Sequence, residues 1–167
     1  DNFEAYEYYL KAKYHFQKWN PIDINIAITQ FEKAIELDGN HAESYVGLSD
    51  CFSFLAGLGL IPTIESWKKA TELTNKAVEL NDQSPEVYYS LANINFWVGR
   101  NFRESFKFAQ KALDIKPSFA LAHQFISLLY ILSNKREKSI EHVRIAQKLD
   151  PLSSEIIFSV AYIYYMQ

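Results

Sequence analysis

Four stretches of this chain align with one another without a gap: FEKAIELDG at 31–39, TNKAVELND at 74–82, AQKALDIKP at 109–117 and VRIAQKLDP at 143–151. Their last residues lie 43, 35 and 34 positions apart. A second series alternates with the first: YLKAKYHF (9–16), YVGLSDCF (45–52), YYSLANINF (88–96), HQFISLLY (123–130) and IFSVAYIY (157–164). Its small positions, Ala12, Ser49, Ala92, Ser127 and Ala161, are spaced 37, 43, 35 and 34. Two interleaved patterns with a shared period of about 34 residues constrain the fold more than any composition does. Each unit is one supersecondary motif that cannot bury its own apolar face, so successive units must stack.

Within these stretches apolar residues recur at three- and four-residue spacing, the period of a helix and not of a strand. Gly and Pro number five each among 167 residues. Breaks fall at Asn20-Pro21, Asp38-Gly39-Asn40, Gly57 to Pro62, Asp82 to Pro85, Gly99-Arg100-Asn101, Lys116-Pro117, Ser133-Asn134 and Asp150-Pro151. They predict nine helices and an all-α fold. Several helix starts are capped in the sequence: Asn20 before Pro21 and Asp23, Ser84 before Pro85 and Glu86, and Asn101 three residues before Glu104. In each, a side-chain oxygen stands ready to accept from a first-turn N–H that has no partner inside the helix.

Paired helices with a small residue in each, and a Pro after the second, resemble the tetratricopeptide repeat (TPR) family, whose unit is a helix-turn-helix of about 34 residues. Ala27, Ala70, Ser105 and Ser139 stand where the second helix of a unit approaches the first. Ala34, Ala77, Ala112 and Ala146 stand where it meets the next unit. Small side chains let helix axes come close, which explains why these columns stay small among large neighbours. Departures are Gly39 and Asp82 at positions where prolines are expected, and insertions around Trp19–Asp23 and Gly57–Pro62. The resemblance spans the chain and implies a right-handed superhelical solenoid of antiparallel helix pairs. Its units are repeat 1 at about 5–39, repeat 2 at about 41–82 with an insertion at about 57–63, repeat 3 at about 85–117, repeat 4 at about 119–151, and the unpaired first helix of a fifth repeat at about 153–167. The opening YLKAKYHFQKWNPIDINIAITQFEKAIELD and the closing LDPLSSEI also resemble TPR arrays that follow winged-helix DNA-binding or adenylate-cyclase-type domains in bacterial signalling regulators. That narrower likeness implies a regulatory context and carries over no catalytic residue.

The chain opens at Asp1 without a start methionine, and its one methionine is Met166. A terminal repeat is expected to show a polar outer face. Here Ile156, Ile157, Phe158, Val160, Ile163 and Tyr164 cover most of the last helix. Both features are expected of a segment of a longer protein.

A stack of this kind turns the first helix of each unit toward a concave face. The lining expected there is Tyr6, Tyr9, Lys13 and Phe16, then Glu43, Val46, Asp50 and Ser53, then Glu86, Tyr89, Asn93 and Phe96. It continues with Leu121, Gln124, Leu128 and Ile131 and ends with Glu155, Phe158, Tyr162 and Tyr165. The candidate partner-binding residues are Tyr9, Lys13, Phe16, Asp50, Tyr89, Asn93, Phe96, Gln124, Leu128, Ile131, Phe158 and Tyr162. Aromatics make up 16% of the chain, and rigid rings supply large contact area at low entropic cost. Packing between neighbouring units competes for the same side chains. Tyr89, Asn93, Phe96, Gln124 and Leu128, in the middle of the array, are expected to be the most available.

The charge of the chain excludes some functions. A formal net charge of −3 lacks the basic excess that a phosphate backbone demands, so nucleic acid is not an expected partner. No apolar run approaches the roughly 18 to 20 residues of a membrane span, and no membrane association is expected. Residues 1–84 carry net −6 and residues 85–167 net +3, a polarity able to orient a partner or a second copy. Lys135, Arg136, Lys138, Arg144 and Lys148 read as a solvated outer face. Gripping the C-terminal carboxylates of a chaperone needs cations with Asn on successive first helices; only Lys13 and Asn93 fit, and Glu43 and Asp50 oppose an anion.

No catalytic constellation is apparent. His41-Ala-Glu43 lacks the paired cysteines that would complete a deaminase zinc site. His15, His123 and His142 fall on different units without an acid or thiol at ligand spacing. Cys51 sits beside Asp50, whereas a nucleophile wants a basic neighbour. Gly57-Leu-Gly59 lacks the lysine and the strand of a phosphate loop. We expect no enzyme, no metal and no cofactor, and a cytoplasmic setting. The expected function is a protein-interaction scaffold, a docking module of a larger signalling or transcription-regulatory protein that binds a peptide, a helix or a flanking domain of its own chain. The alternative is a homodimer formed through the exposed terminal helix.

Overall fold

The structure is a computed structural model that describes residues 2–97 and 99–165. Met166 and the end of the last expected helix lie outside the described residues. Those described form nine helices and no strand: α1 (Phe3–Phe16), α2 (Pro21–Leu37), α3 (Ala42–Gly57), α4 (Thr63–Leu80), α5 (Pro85–Trp97), α6 (Phe102–Ile115), α7 (Ala120–Leu132), α8 (Arg136–Leu149) and α9 (Ser154–Tyr165). Asn20 accepts from the Asp23 N–H at 3.0 Å, Asn101 from the Glu104 N–H at 3.2 Å and Ser84 from the Val87 N–H at 3.4 Å, so each of these side chains satisfies a donor its helix leaves open.

The helices pair as α1 with α2, α3 with α4, α5 with α6 and α7 with α8, and each pair leans on the next to build a solenoid. The small columns lie at the closest approaches. Ala27, Ala70, Ser105 and Ser139 are fully buried, as are Ala34, Ala77, Ala112 and Ala146, and as are Ala12, Ser49, Ala92 and Ser127 on the first helices. Ala161, at the same position of α9, is exposed. Three of the serines that replace alanine bond across the pair: Ser49 to the Ala70 carbonyl at 2.9 Å, Ser105 to the Ala92 carbonyl at 2.8 Å, and Ser139 to the Ser127 carbonyl at 2.9 Å, whereas the Ser127 hydroxyl is buried without a partner. A buried hydroxyl left without such a partner would cost about 1–3 kcal/mol.

Large side chains fill the spaces between the columns. Ile24, Phe31, Leu48, Cys51 and Leu55 form one core around α1–α3; Val46 and Val87 join the second pair to the third; Phe96, Phe125, Ile126 and Leu129 form a core around α5–α7. Gly47 on α3 is part of the first of these. A Cβ there would run into the buried ring of Phe31, so the ring occupies the space that the glycine leaves.

Candidate protein-interaction groove

The odd-numbered helices stand side by side, and their faces turned away from the even-numbered partners make the inner surface of the solenoid. On α1, Tyr9 is half-buried against Phe31 at 6.1 Å and His41 at 4.9 Å between ring centres, with the Lys13 ammonium 5.8 Å from its own ring. Burial first, then the carboxylates of Glu43 and Glu86, push the Tyr9 hydroxyl up to about 12. On α3, Asp50 is half-buried and accepts a 2.8 Å hydrogen bond from Ser90 of α5. Burial lifts its carboxyl to about 6, with Ser90 and Lys13 opposing and Glu155 of α9 adding to the lift. On α5, burial holds the Tyr89 hydroxyl far above its ordinary range, and Glu155 and Asp50 reinforce it. Glu155 itself is raised by burial.

Lys13, Asp50, Tyr89 and Glu155, carried on α1, α3, α5 and α9, therefore share one electrostatic environment. Neither Asp50 nor Glu155 makes an ion pair among the described residues. Partly dehydrated carboxylates without an ion pair stay electrostatically unsatisfied even with Lys13 nearby, and an arriving positive charge relieves them.

The other residues singled out in the sequence divide between groove and core. Phe96 is buried, with its ring against Phe102 at 5.3 Å and Phe125 at 5.5 Å, so it holds units together. Gln124 is buried too and donates to Ser159 of α9 at 2.7 Å. Tyr89 packs edge-on against Phe119 and Phe125, Leu128 lies against the same core, and the Asn93 amide is spent on the Tyr89 carbonyl at 3.0 Å. Phe16 packs on the first core and on Trp19, and Ile131 is half-buried. Lys13, Phe158 and Tyr162 are exposed, the last two rings lying 6.5 Å apart and nearly parallel. In the middle of the array Phe96 and Gln124 are therefore buried, while Tyr89, Asn93 and Leu128 remain half-buried. Glu155, in the expected lining but not among the candidate binding residues, belongs to the charged centre, as does Ser90, which the lining did not include.

Cys51 is fully buried, and burial, then Asp50, holds its thiol well above the ordinary range, which leaves it inert. The histidines are spread over separate contacts: His15 with Asp23 at 2.6 Å, His41 with Ser44 at 2.8 Å, and His123 with His142 at 3.1 Å. Among the described residues no group of three or more His, Cys, Asp or Glu side chains comes together that could hold a metal ion, and no helix is long and apolar enough to cross a membrane.

Stacked antiparallel helix pairs with small residues at every close approach make this a tetratricopeptide-repeat fold. The TPR protein TTC0263 of Thermus thermophilus superposes with a TM-score of 0.81 at 12% identity, over 98% of this chain and 82% of that one. YrrB, described as a TPR protein with an unusual peptide-binding site, superposes with a TM-score of 0.54 at 15% identity, over 99% of this chain and 77% of that one. In sequence the chain is similar to the transcriptional regulator HilA of Salmonella typhimurium, 23% identical over 143 residues. That match covers 86% of this chain and 26% of HilA, so the chain spans about a quarter of the length of the curated relatives it matches. No protein-family model matches the chain.

Proposed function

We propose that this chain is a docking module of a larger transcription-regulatory or signalling protein, and that its inner face binds a cationic segment: a peptide, a helix, or one face of a sister domain. The observation that carries the reading is the set of partly buried carboxylates at Asp50 and Glu155, lifted by burial and lacking an ion pair, beside the tyrosines at positions 9 and 89. Lys or Arg from a ligand would neutralise the carboxylates and lie over the rings, an arrangement worth about 0.5–2 kcal/mol for each such contact. Likeness to HilA supports the regulatory setting, and likeness to YrrB supports a peptide as ligand. The unit boundaries at about 5–39, 41–82, 85–117, 119–151 and 153–167 belong to the same reading, as does the absence of catalysis.

The test is selection from a random peptide library displayed on phage. Binders enriched in Lys and Arg, lost when Glu43 and Glu155 are both changed to Lys, are the expected result. Enrichment of acidic sequences, or binding indifferent to that double change, would overturn the groove assignment. A second reading, a homodimer through α9, is favoured by the exposure of Ile157, Phe158 and Tyr165 on that helix. It predicts that Phe158→Glu dissociates the dimer.

A further inference from the structure

The two edges of the solenoid differ. The connections that lead from one helix pair to the next, at 38–41, 81–84, 116–119 and 150–153, are built mainly of Asp, Asn, Ser, Gly and Pro, with Leu152 as their one large apolar side chain mostly in water. At the opposite edge lie the turns within pairs, and each presents large apolar side chains: Trp19 and Ile22 at the first, Leu60 and Ile64 at the second, Trp97 at the third and Leu132 at the fourth. All six are more than half exposed. Trp19 is held at φ +50°, where a bulky residue is disfavoured, with its ring braced by Phe16 at 5.7 Å and Phe54 at 5.4 Å. With helices spaced 8–10 Å apart, four such turns make a ridge roughly 30–40 Å long. A row of large apolar side chains exposed along one edge marks an interaction surface.

We propose that this ridge is a self-association surface on which a second copy of the chain lies antiparallel, edge to edge, about a two-fold axis between the second and third turns. A ridge projects and cannot enclose a peptide, whereas two ridges can lie along one another. The charge distribution selects the direction. Residues 1–84 carry net −6 and residues 85–167 net +3, so antiparallel pairing sets the acidic half of each copy against the basic half of the other, and parallel pairing sets like against like. At the ridge itself, Glu65 flanks the second turn and Arg100 and Arg103 the third; all three are exposed and make no ion pair among the described residues. The two-fold brings Glu65 of each copy to the arginines of the other, twice. This surface is separate from the groove, so its failure leaves the peptide-docking reading intact; it competes with α9 for the dimer interface, and the variants below separate the two.

Analytical ultracentrifugation of the chain from about 1 to 100 µM tests it, a range that spans typical dimer affinities. A concentration-dependent doubling of mass is expected. Ile64→Glu and Trp97→Glu should each weaken dimerisation at least about tenfold while helical circular dichroism stays unchanged. Glu65→Arg and Arg103→Glu should each weaken it, and the two together should restore it. A monomer throughout the range, or a dimer indifferent to Ile64→Glu, would sink the proposal. A dimer lost on Phe158→Glu but not on Ile64→Glu would move the interface to α9. Failure of the paired charge exchange to restore association would overturn the antiparallel register.

Discussion

Asp50 is a carboxylate whose folded environment opposes its charge. Its carboxyl titrates near 6 against an ordinary 3.8, because burial outweighs the Ser90 hydrogen bond and the Lys13 ammonium. A raised carboxyl pKa means that the folded state holds the proton more tightly than the unfolded chain does. Ionisation therefore destabilises the fold at neutral pH, and the penalty fades as pH falls from about 6 to about 4. Asp50→Asn should be more stable than the parent at pH 8 by on the order of 1–3 kcal/mol, with the gain gone by about pH 4. Urea denaturation at the two pH values reads this directly. An equal gain at both would mean that shape and not charge is at issue. A cationic ligand should remove the same penalty, which is why a buried acid facing a groove points to function more than to stability.

Between elements, the seam of α7 and α8 holds a pair of histidines whose tautomers the geometry assigns. The Pro117 carbonyl can only accept, so Nε2–H of His123 donates to it at 3.0 Å. Nδ1 of neutral His123 is then an acceptor, and Nδ1–H of His142 donates to it at 3.1 Å. Protonating His142 at Nε2 keeps that bond but places a positive charge in a half-buried seam. Burial, then His123, lowers the His142 pKa below 6.5, while Glu141 opposes and Lys138 adds a little; Tyr130 closes the other side, 5.5 Å away. A lowered histidine pKa gives stability that is present above about 6.5 and lost as pH falls below it, the reverse of Asp50. His142→Gln keeps an N–H donor and removes the titration. Its thermal midpoint should therefore fall less than the parent's between pH 7 and pH 5, and an identical fall would place the acid sensitivity elsewhere.

At the scale of the molecule, a solenoid is held by neighbour contacts, so its stability varies along the stack. Among the described residues of α9, Ile156 and Ile163 are buried, and the helix rests on α7 and α8 alone. The α5–α7 region is enclosed on both sides, around Phe96, Phe125 and Ile126. Amide hydrogen exchange in native conditions should accordingly be fastest in α9 and slowest in α5 to α7. Uniform protection from end to end would show instead that the array opens as one cooperative unit.

The helical repeat was legible in the order of residues because it rests on local spacing. Small columns at Ala27, Ala70, Ser105 and Ser139 are needed wherever two helices touch, and their full burial follows from that need. The contents of the groove were only half legible. Phe96 and Gln124 share the periodicity of Lys13 and Asp50, yet the first two are buried between units, because how far neighbouring helices overlap depends on the curvature of the whole stack. Curvature also brings Glu155 to Asp50 and Tyr89, three and two odd-numbered helices away, a relation that no motif encodes. The apolar ridge is the extreme case: Trp19, Ile64, Trp97 and Leu132 lie in or beside four separate turns and line one edge once the pairs stack. The order of residues thus determined the helix pair and its repetition, which depend on near neighbours along the chain. Tertiary structure decided which side chains face a partner and which face one another, since that depends on distances between units that local sequence does not set.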